Sequence, residues 1–245
     1  IPVNKHPLIR SALACYSSSK LAVRLANLAG ARLHVLHVST AKELSLFSDA
    51  PLSSLKNITA EACIAHLFYD SEDYKTLGAR IKCNPAIKSE SNRTALRAAV
   101  NSGLIDVIAT DHAPHLLNEK EGGALKAMSG MPMIQFSLVS MLELVNKGIF
   151  TLETIVEKMC HAPAQIYRIN ERGYIREGYR ADLVLVRPNT PWEVTTDRIL
   201  SKCGWSPLEG HTFDWKVEKT FANGHLIYDD NTVDGTYRGE ELRFN

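Results

Sequence analysis

Apolar positions over the first 165 or so residues follow two alternating rhythms. In KLAVRLANLAG, Leu21, Leu25 and Leu28 recur at helical spacing, which predicts a helix with those leucines on one face. Ser17 to Ser19 are its N-cap candidates and Gly30 its C-terminal stop. ARLHVLHVST is a short β-rich run, AKELSLF opens a helical pattern, and KNITAEACIAHLFY reads as a second strand. Asn92 is placed to cap RTALRAAVN, a helix ending at Ser102 and Gly103. LIDVIATDHAPH follows, an almost wholly apolar run closing in polar residues, which is the pattern of a buried parallel strand with chemistry at its C-terminal end. Two further helices are expected, Ile134 to Asn146 and, capped by Thr151, Leu152 to Met159. Strand and helix in alternation predict a parallel α/β architecture, either a barrel or a doubly wound sheet.

From about Gly173 the texture changes. GYIREGYRADLVLVRP, WEVTTD and WKVEKTFANGHLIYDD read as short strands with turns between them, a small β unit with Ala181 to Val186 as a core strand. The chain has 245 residues, 45% hydrophobic and 22% charged, enough apolar side chain for a real core and not the composition of a disordered chain. Its 28 basic and 27 acidic residues leave a net charge of +1 without like-charge runs, so neither a nucleic acid nor a membrane surface is indicated as a partner. No apolar stretch approaches the ~20 residues a membrane span needs. Cys15, Cys63, Cys83, Cys160 and Cys203 are widely spaced, with no CxxC; they read as small core residues in a reducing compartment, and the cytoplasm is the expected location.

The histidines and one aspartate carry the candidate chemistry. His34 and His37 are three apart, so on a strand they face opposite sides. His37 is the better ligand candidate, nearer the C-terminal end with Ser39 and Thr40 beyond it; the plainer reading is a histidine bonded to backbone. IATDHAPH is the strongest local signal: Asp111, His112 and His115 lie within five residues, with Pro114 stiffening the turn. An aspartate at such a strand end can ligate a metal, shuttle a proton, or simply close an Asx turn. Asn84, before Pro85, and His66, read as the end of a strand, are further polar candidates for hydrogen bonding a ligand, though each residue type in such a place is more often a turn former or a satisfied hydrogen-bond partner. No GxGxxG after a strand, GxxxxGK[ST] or GxSxG is present, so nucleotide binding and serine nucleophile chemistry lack motif support.

HVLHVST, TAEACIAHL, IKCNPAIKSESNR, LIDVIATDHAPH with a following EK, and GYIREGYRADLVL resemble, in order and spacing, the C-terminal half of dihydroorotase in the amidohydrolase superfamily. SPLEG and FANGHLIY are similar to the tail of that family's accessory β-sandwich. The resemblance implies a (β/α)8 TIM barrel of which this chain carries about strands six to eight in residues 1–165, with the β-sandwich segment in 166–245. It implies reversible hydrolysis of L-dihydroorotate to N-carbamoyl-L-aspartate, the third step of pyrimidine synthesis, with one or two Zn2+ ions as cofactor. Residue by residue it puts His37 and Asp111 on the metal, Asp111 also as proton shuttle, and His115 on the substrate carboxylate. Asn84 and the backbone of Gly130 and Met131 would touch the substrate ring. A homodimer and aspartate transcarbamoylase are the protein partners the resemblance brings into view.

Two departures stand out. The family's first-strand HxH, its bridging lysine or aspartate and its fifth-strand histidine have no counterpart, so a C-terminal portion of a longer protein is expected. GMPMIQFSL also lacks the glutamate many relatives carry shortly after the glycine. The rival readings are a hydantoinase or allantoinase and a non-catalytic homologue that scaffolds a partner.

Overall fold

The first long helix starts at Ser11, ahead of the serines at 17 to 19. In the computed structural model, which describes residues 1–54 and 56–244, α1 runs Ala12–Ala29: the Ser11 side chain accepts from the Ala14 amide, and Gly30 ends the helix at φ 62°, donating to the Ala26 and Asn27 carbonyls. The early turns were not legible because SALACYSS offers only Leu13 to set an apolar phase. The helix buries Val23 and Ala26, while Leu21, Leu25 and Leu28 remain exposed. The leucine stripe is therefore not the face that packs within this chain.

β1 (Leu33–Val35), β2 (Ile58–Cys63) and β3 (Val107–Ala109) form a parallel sheet in that order, with Leu33 opposite Ile58 and Cys63 opposite Ala109. The expected strand through KNITAEACIAHLFY turns at Cys63 into a short helix, α2 (Ile64–Phe68). No glycine or proline marks that change, and His66 consequently lies in a helix rather than at a strand end. α3 (Glu90–Ser102) is in the connection from β2 to β3; Ser89 is its N-cap residue and Gly103 closes it at φ 86°. Asn92 lies inside α3, where its Oδ1 accepts from the Ala41 amide at 2.9 Å and its Nδ2 donates to Ser89 Oγ at 2.8 Å. Ala60, Ala62, Ile64, Leu67, Ile81, Ile87 and Ile105 are buried around these elements. Beside them the Lys56 ammonium meets Asp106 Oδ1 at 2.7 Å, and Asp106 Oδ2 accepts from the Ala60 amide at 2.9 Å, so a buried ion pair ties the start of β2 to the approach to β3.

Contacts divide the chain into two compact units, Ile1–Ser137 with Ile199–Glu209, and Leu138–Arg198 with Gly210–Asn245. The parallel sheet belongs to the first. α4 (Ser137–Asn146) starts three residues later than its apolar pattern suggested. α5 (Leu152–Val156) is capped by Thr151, whose hydroxyl accepts from the Thr154 amide at 3.1 Å. It then widens into a π-helical turn over Glu157–His161 before α6 (Ala162–Ile166).

The second unit's β part is antiparallel. β4 (Leu183–Arg187), β7 (Lys216–Ala222), β8 (His225–Asp229) and β9 (Thr232–Val233) form a sheet in the order β4-β7-β8-β9, while β5 (Trp192–Glu193) pairs with β6 (Thr212–Phe213). Asn223 and Gly224, both at positive φ, make the tight turn between β7 and β8. The expected core strand is instead an outer one, with Val184 and Leu185 exposed. Asp182 pairs with Arg172 and accepts from the Asn223 amide at 2.9 Å. Among the described residues no helix is long and apolar enough to cross a membrane.

Candidate functional site

Parallel strands end on one side of their sheet, so whatever follows β1, β2 and β3 is gathered at one rim. His37 comes two residues after β1 and Asp111 two residues after β3, with β2 between them. Both residues have positive φ, 39° and 46°, a region non-glycine residues seldom enter. The backbone thus makes the same kind of sharp turn on either side of β2 at two residues already singled out for chemistry.

β2 supplies the group between them. Glu61 Oε1 accepts from the His37 amide at 3.2 Å, and Glu61 Oε2 lies 3.2 Å from His34 Nε2; His34 Nδ1 is 2.8 Å from Thr59 Oγ1. His34 is therefore occupied within the sheet, while His37 lies beyond the strand end; their separation comes from the bend after Val35 rather than from strand alternation alone. Burial pushes Glu61 upward, but the His34 and His37 hydrogen bonds outweigh it and hold the carboxyl below its ordinary value. For Asp111, crowding by protein is the largest influence and raises its proton affinity; His37 pulls it back and the Glu61 charge pushes it up. The Asp111 residue as a whole remains exposed at the rim. Glu61 is the residue the sequence reading missed, and the signal for it was a lone carboxylate inside the buried run ITAEAC.

A cavity of about 470 Å3 brings His37, His34, Glu43 and Cys15 together with Asn84 and Pro85. Asn84 is held from behind: buried His6 places Nε2 3.1 Å from Asn84 Oδ1 and 3.1 Å from the Cys83 carbonyl. Burial lowers the His6 pKa, which keeps the ring neutral near pH 7. His66 supports the same loop through Nε2, which donates to the Pro85 carbonyl at 2.9 Å.

The remaining candidates lie along the TDHAPH segment. His112 pairs with Met131 as an isolated bridge, and the Ala113 amide donates to the Met131 carbonyl at 3.1 Å. Gly130, at φ 141°, approaches so closely that a Cβ there would stand 2.5 Å from Ala113 Cβ and 3.0 Å from His115 Cδ2. His115 Nε2 donates to the Ser129 carbonyl at 3.1 Å, its Nδ1 lies 3.8 Å from Glu119 Oε2, and its carbonyl accepts from Trp205 Nε1 at 2.7 Å. The structure thus places His37 and Asn84 on one cavity, sets His37 and Asp111 just beyond the ends of the two strands that flank β2, and packs Gly130 and Met131 against the His112–His115 stretch; His115 itself is turned toward Ser129 and Glu119.

An imidazole and a carboxylate are suitable donors for zinc. Among the described residues, however, no three His, Cys, Asp or Glu side chains gather into a metal-holding group. His37 and Asp111 have donor chemistry that suits zinc, but two donors alone do not make such a group.

Comparison with known proteins identifies the family. The chain matches the amidohydrolase family over residues 14–227. Its curated relatives include a dihydroorotase of Pyrococcus furiosus, 36% identical over 209 residues, covering 85% of this chain and 48% of the relative. They also include an allantoinase of Bacillus velezensis, 31% identical over 210 residues, covering 85% of this chain and 46% of the relative. Among solved structures, an L-hydantoinase (dihydropyrimidinase) from Arthrobacter aurescens superposes with a TM-score of 0.83 at 28% identity, covering 89% of this chain and 49% of that one. The chain spans about half the length of the curated relatives it matches.

Proposed function

The chain belongs to the amidohydrolase family, and from that premise we propose that it forms part of a zinc-dependent dihydroorotase, interconverting L-dihydroorotate and N-carbamoyl-L-aspartate in pyrimidine synthesis in the cytoplasm. In this reading residues 1–165 are the part of a (β/α)8 barrel that carries about strands six to eight, and residues 166–245 belong to an accessory β-sandwich. The observation that carries the proposal is the placement of His37 and Asp111 in matching turns on either side of β2, with Asn84 on the cavity that His37 lines.

His37 offers an imidazole and Asp111 a carboxylate to the metal. Bound zinc would supply Lewis acidity, lowering the pKa of a water from 15.7 to about 7. Asp111, its proton affinity raised by its surroundings, is suited to accept a proton and pass it to the departing amide nitrogen, a role worth about 10²- to 10⁴-fold in rate. With Oδ1 held by His6, Asn84 can present Nδ2 to a carbonyl of the substrate ring. The Gly130 and Met131 backbone lies against the Asp111 segment, where no side chain at 130 would fit. Since His115 Nε2 is engaged by Ser129, Nδ1, which lies 3.8 Å from Glu119 Oε2, is the atom that would exchange that neighbour for a substrate carboxylate, and it must carry a proton to do so.

The test is turnover of dihydroorotate, hydantoin and allantoin by the complete protein, with zinc content measured beside the rate. Dihydroorotate as the preferred substrate is expected. The allantoinase and hydantoinase relatives supply the second reading, and preference for allantoin or hydantoin would replace the first with it. His115→Ala is expected to lower dihydroorotate turnover efficiency by roughly ten- to a hundredfold at unchanged zinc content, whereas Asp111→Ala loses zinc and rate together. Equal zinc loss in both variants would place the substrate contact on another residue.

A further inference from the structure

Lys120 is buried, and its ammonium is surrounded by main-chain oxygens: it donates to the Lys82 carbonyl at 3.0 Å, the Met128 carbonyl at 2.7 Å and the Gly130 carbonyl at 2.6 Å. An ammonium has three N–H groups, so its donor capacity is used in full. The Trp205 ring lies 5.8 Å from the same nitrogen, and Trp205 Nε1 is the donor to the His115 carbonyl. The Lys82 carbonyl also accepts from the Gly130 amide at 2.8 Å. Burying a charge costs free energy that a solvent-exposed loop lysine would not incur, so this arrangement is expensive for a loop that needs only to be closed. Burial accordingly lowers the Lys120 pKa to about 8. The carbonyls it holds come from two separate stretches of chain, one leading directly to Asn84 and the other ending in Gly130 and Met131.

We infer that Lys120 is a positioning residue that fixes the Asn84 segment against the Gly130–Met131 segment, through an ammonium shared by the Lys82, Met128 and Gly130 carbonyls, and so sets how tightly the site grips its cyclic substrate. The inference rests on the proposed reading, in which those two segments touch the substrate. Lys120 itself contacts neither metal ligand nor substrate; losing it takes the side-chain donor from the Met128 and Gly130 carbonyls and leaves the Gly130 amide as the remaining donor to the Lys82 carbonyl, which loosens one segment against the other.

The test uses the complete, zinc-loaded protein carrying Lys120→Met, Asn84→Ala and both together. Lys120→Met is expected to raise KM for dihydroorotate about tenfold or more at unchanged zinc content. The double variant is expected to bind no more weakly than Asn84→Ala alone, because both changes act through one contact. A purely structural lysine would lower thermal stability without moving KM, or would multiply with Asn84→Ala; either outcome overturns the inference. If Lys120→Met does not fold, Lys120→Arg is read in its place: a planar fork cannot set three N–H groups on the same three carbonyls, and unchanged KM in that variant overturns the inference equally. Hydrogen exchange at the Gly130 amide separates this failure from failure of the proposed function, since it needs no turnover. Faster exchange in the lysine variant is expected even if the substrate proves to be allantoin or hydantoin, and unchanged exchange refutes the clamp while leaving the dihydroorotase reading intact.

Discussion

His66 is buried in α2 with Nε2 bonded to the Pro85 carbonyl and Nδ1 enclosed without a hydrogen-bond partner. Burial holds its pKa at about 4, against 6.5 for the free residue. The unfolded chain therefore takes up a proton near pH 6.5 while the native ring resists until about pH 4. This contribution to stability is complete above pH 6.5 and drains away as pH falls through that window, by at most roughly 3 kcal/mol. Urea unfolding at pH 7, 5.5 and 4.5 should show a shallower acid slope for His66→Gln than for the parent, and identical slopes would assign the acid sensitivity to other groups. At Gly130 the expected effect is steric: Gly130→Ala would bring a Cβ to 2.5 Å from Ala113 Cβ and 2.9 Å from the Ala113 carbonyl, at φ 141°. It should cost about 1 to 3 kcal/mol in thermal unfolding, and an unchanged melting temperature would show that the loop yields freely. Individual residues were legible where polarity interrupted an apolar run, as at Asp111. They were illegible where burial is created by distant chain: the EK after TDHAPH carries the resemblance, but nothing local shows that the Lys120 ammonium is covered by segments near 82, 128 and 205.

Elements were most legible where the apolar run was long and had a marked end. LIDVIAT yielded β3, and Gly30 and Gly103 closed their helices where expected. Boundaries without a distinctive signal were not recoverable: α1 is capped at Ser11, one serine among several and well before Leu21, and Cys63 passes from strand to helix with no turn residue. The start of β2 and the approach to β3 are tied by a contact no local pattern reveals, the Lys56–Asp106 pair with Asp106 also bound to the Ala60 amide. Both side chains are 4% exposed, so Lys56→Ala leaves a carboxylate without its counterion in the interior. Such losses cost about 3 to 5 kcal/mol. Chemical denaturation should register that loss, and a change below about 1 kcal/mol, the usual size for an exposed pair, would mean that water reaches Asp106 in the native state.

At the scale of the whole molecule, the leucine stripe that failed to pack and the order of the parallel sheet bear on the same question. Leu21, Leu25 and Leu28 are 56%, 54% and 74% exposed, and β1 and β3 are outer strands of a three-stranded sheet. Parallel sheets are normally covered on both faces, and open edges with apolar surface nearby favour association. A polypeptide of residues 1–245 alone should therefore scatter light at concentrations where its Leu25→Lys, Leu28→Glu variant stays dispersed; equal scattering would clear the stripe of that role. In the proposed reading the metal site would be incomplete in the same sense. Catalytic zinc sites use three protein ligands and leave one position open, whereas the proposed reading assigns two, His37 and Asp111, and no group of three gathers among the described residues. Residues 1–245 alone should thus leave gel filtration with far less than one zinc per chain, while the complete protein retains its metal and loses it on His37→Ala. One zinc held per chain by residues 1–245, and released by His37→Ala, would mean that the site draws its third ligand from within this chain, and Glu61, bonded to the His37 amide, would be the first residue to substitute.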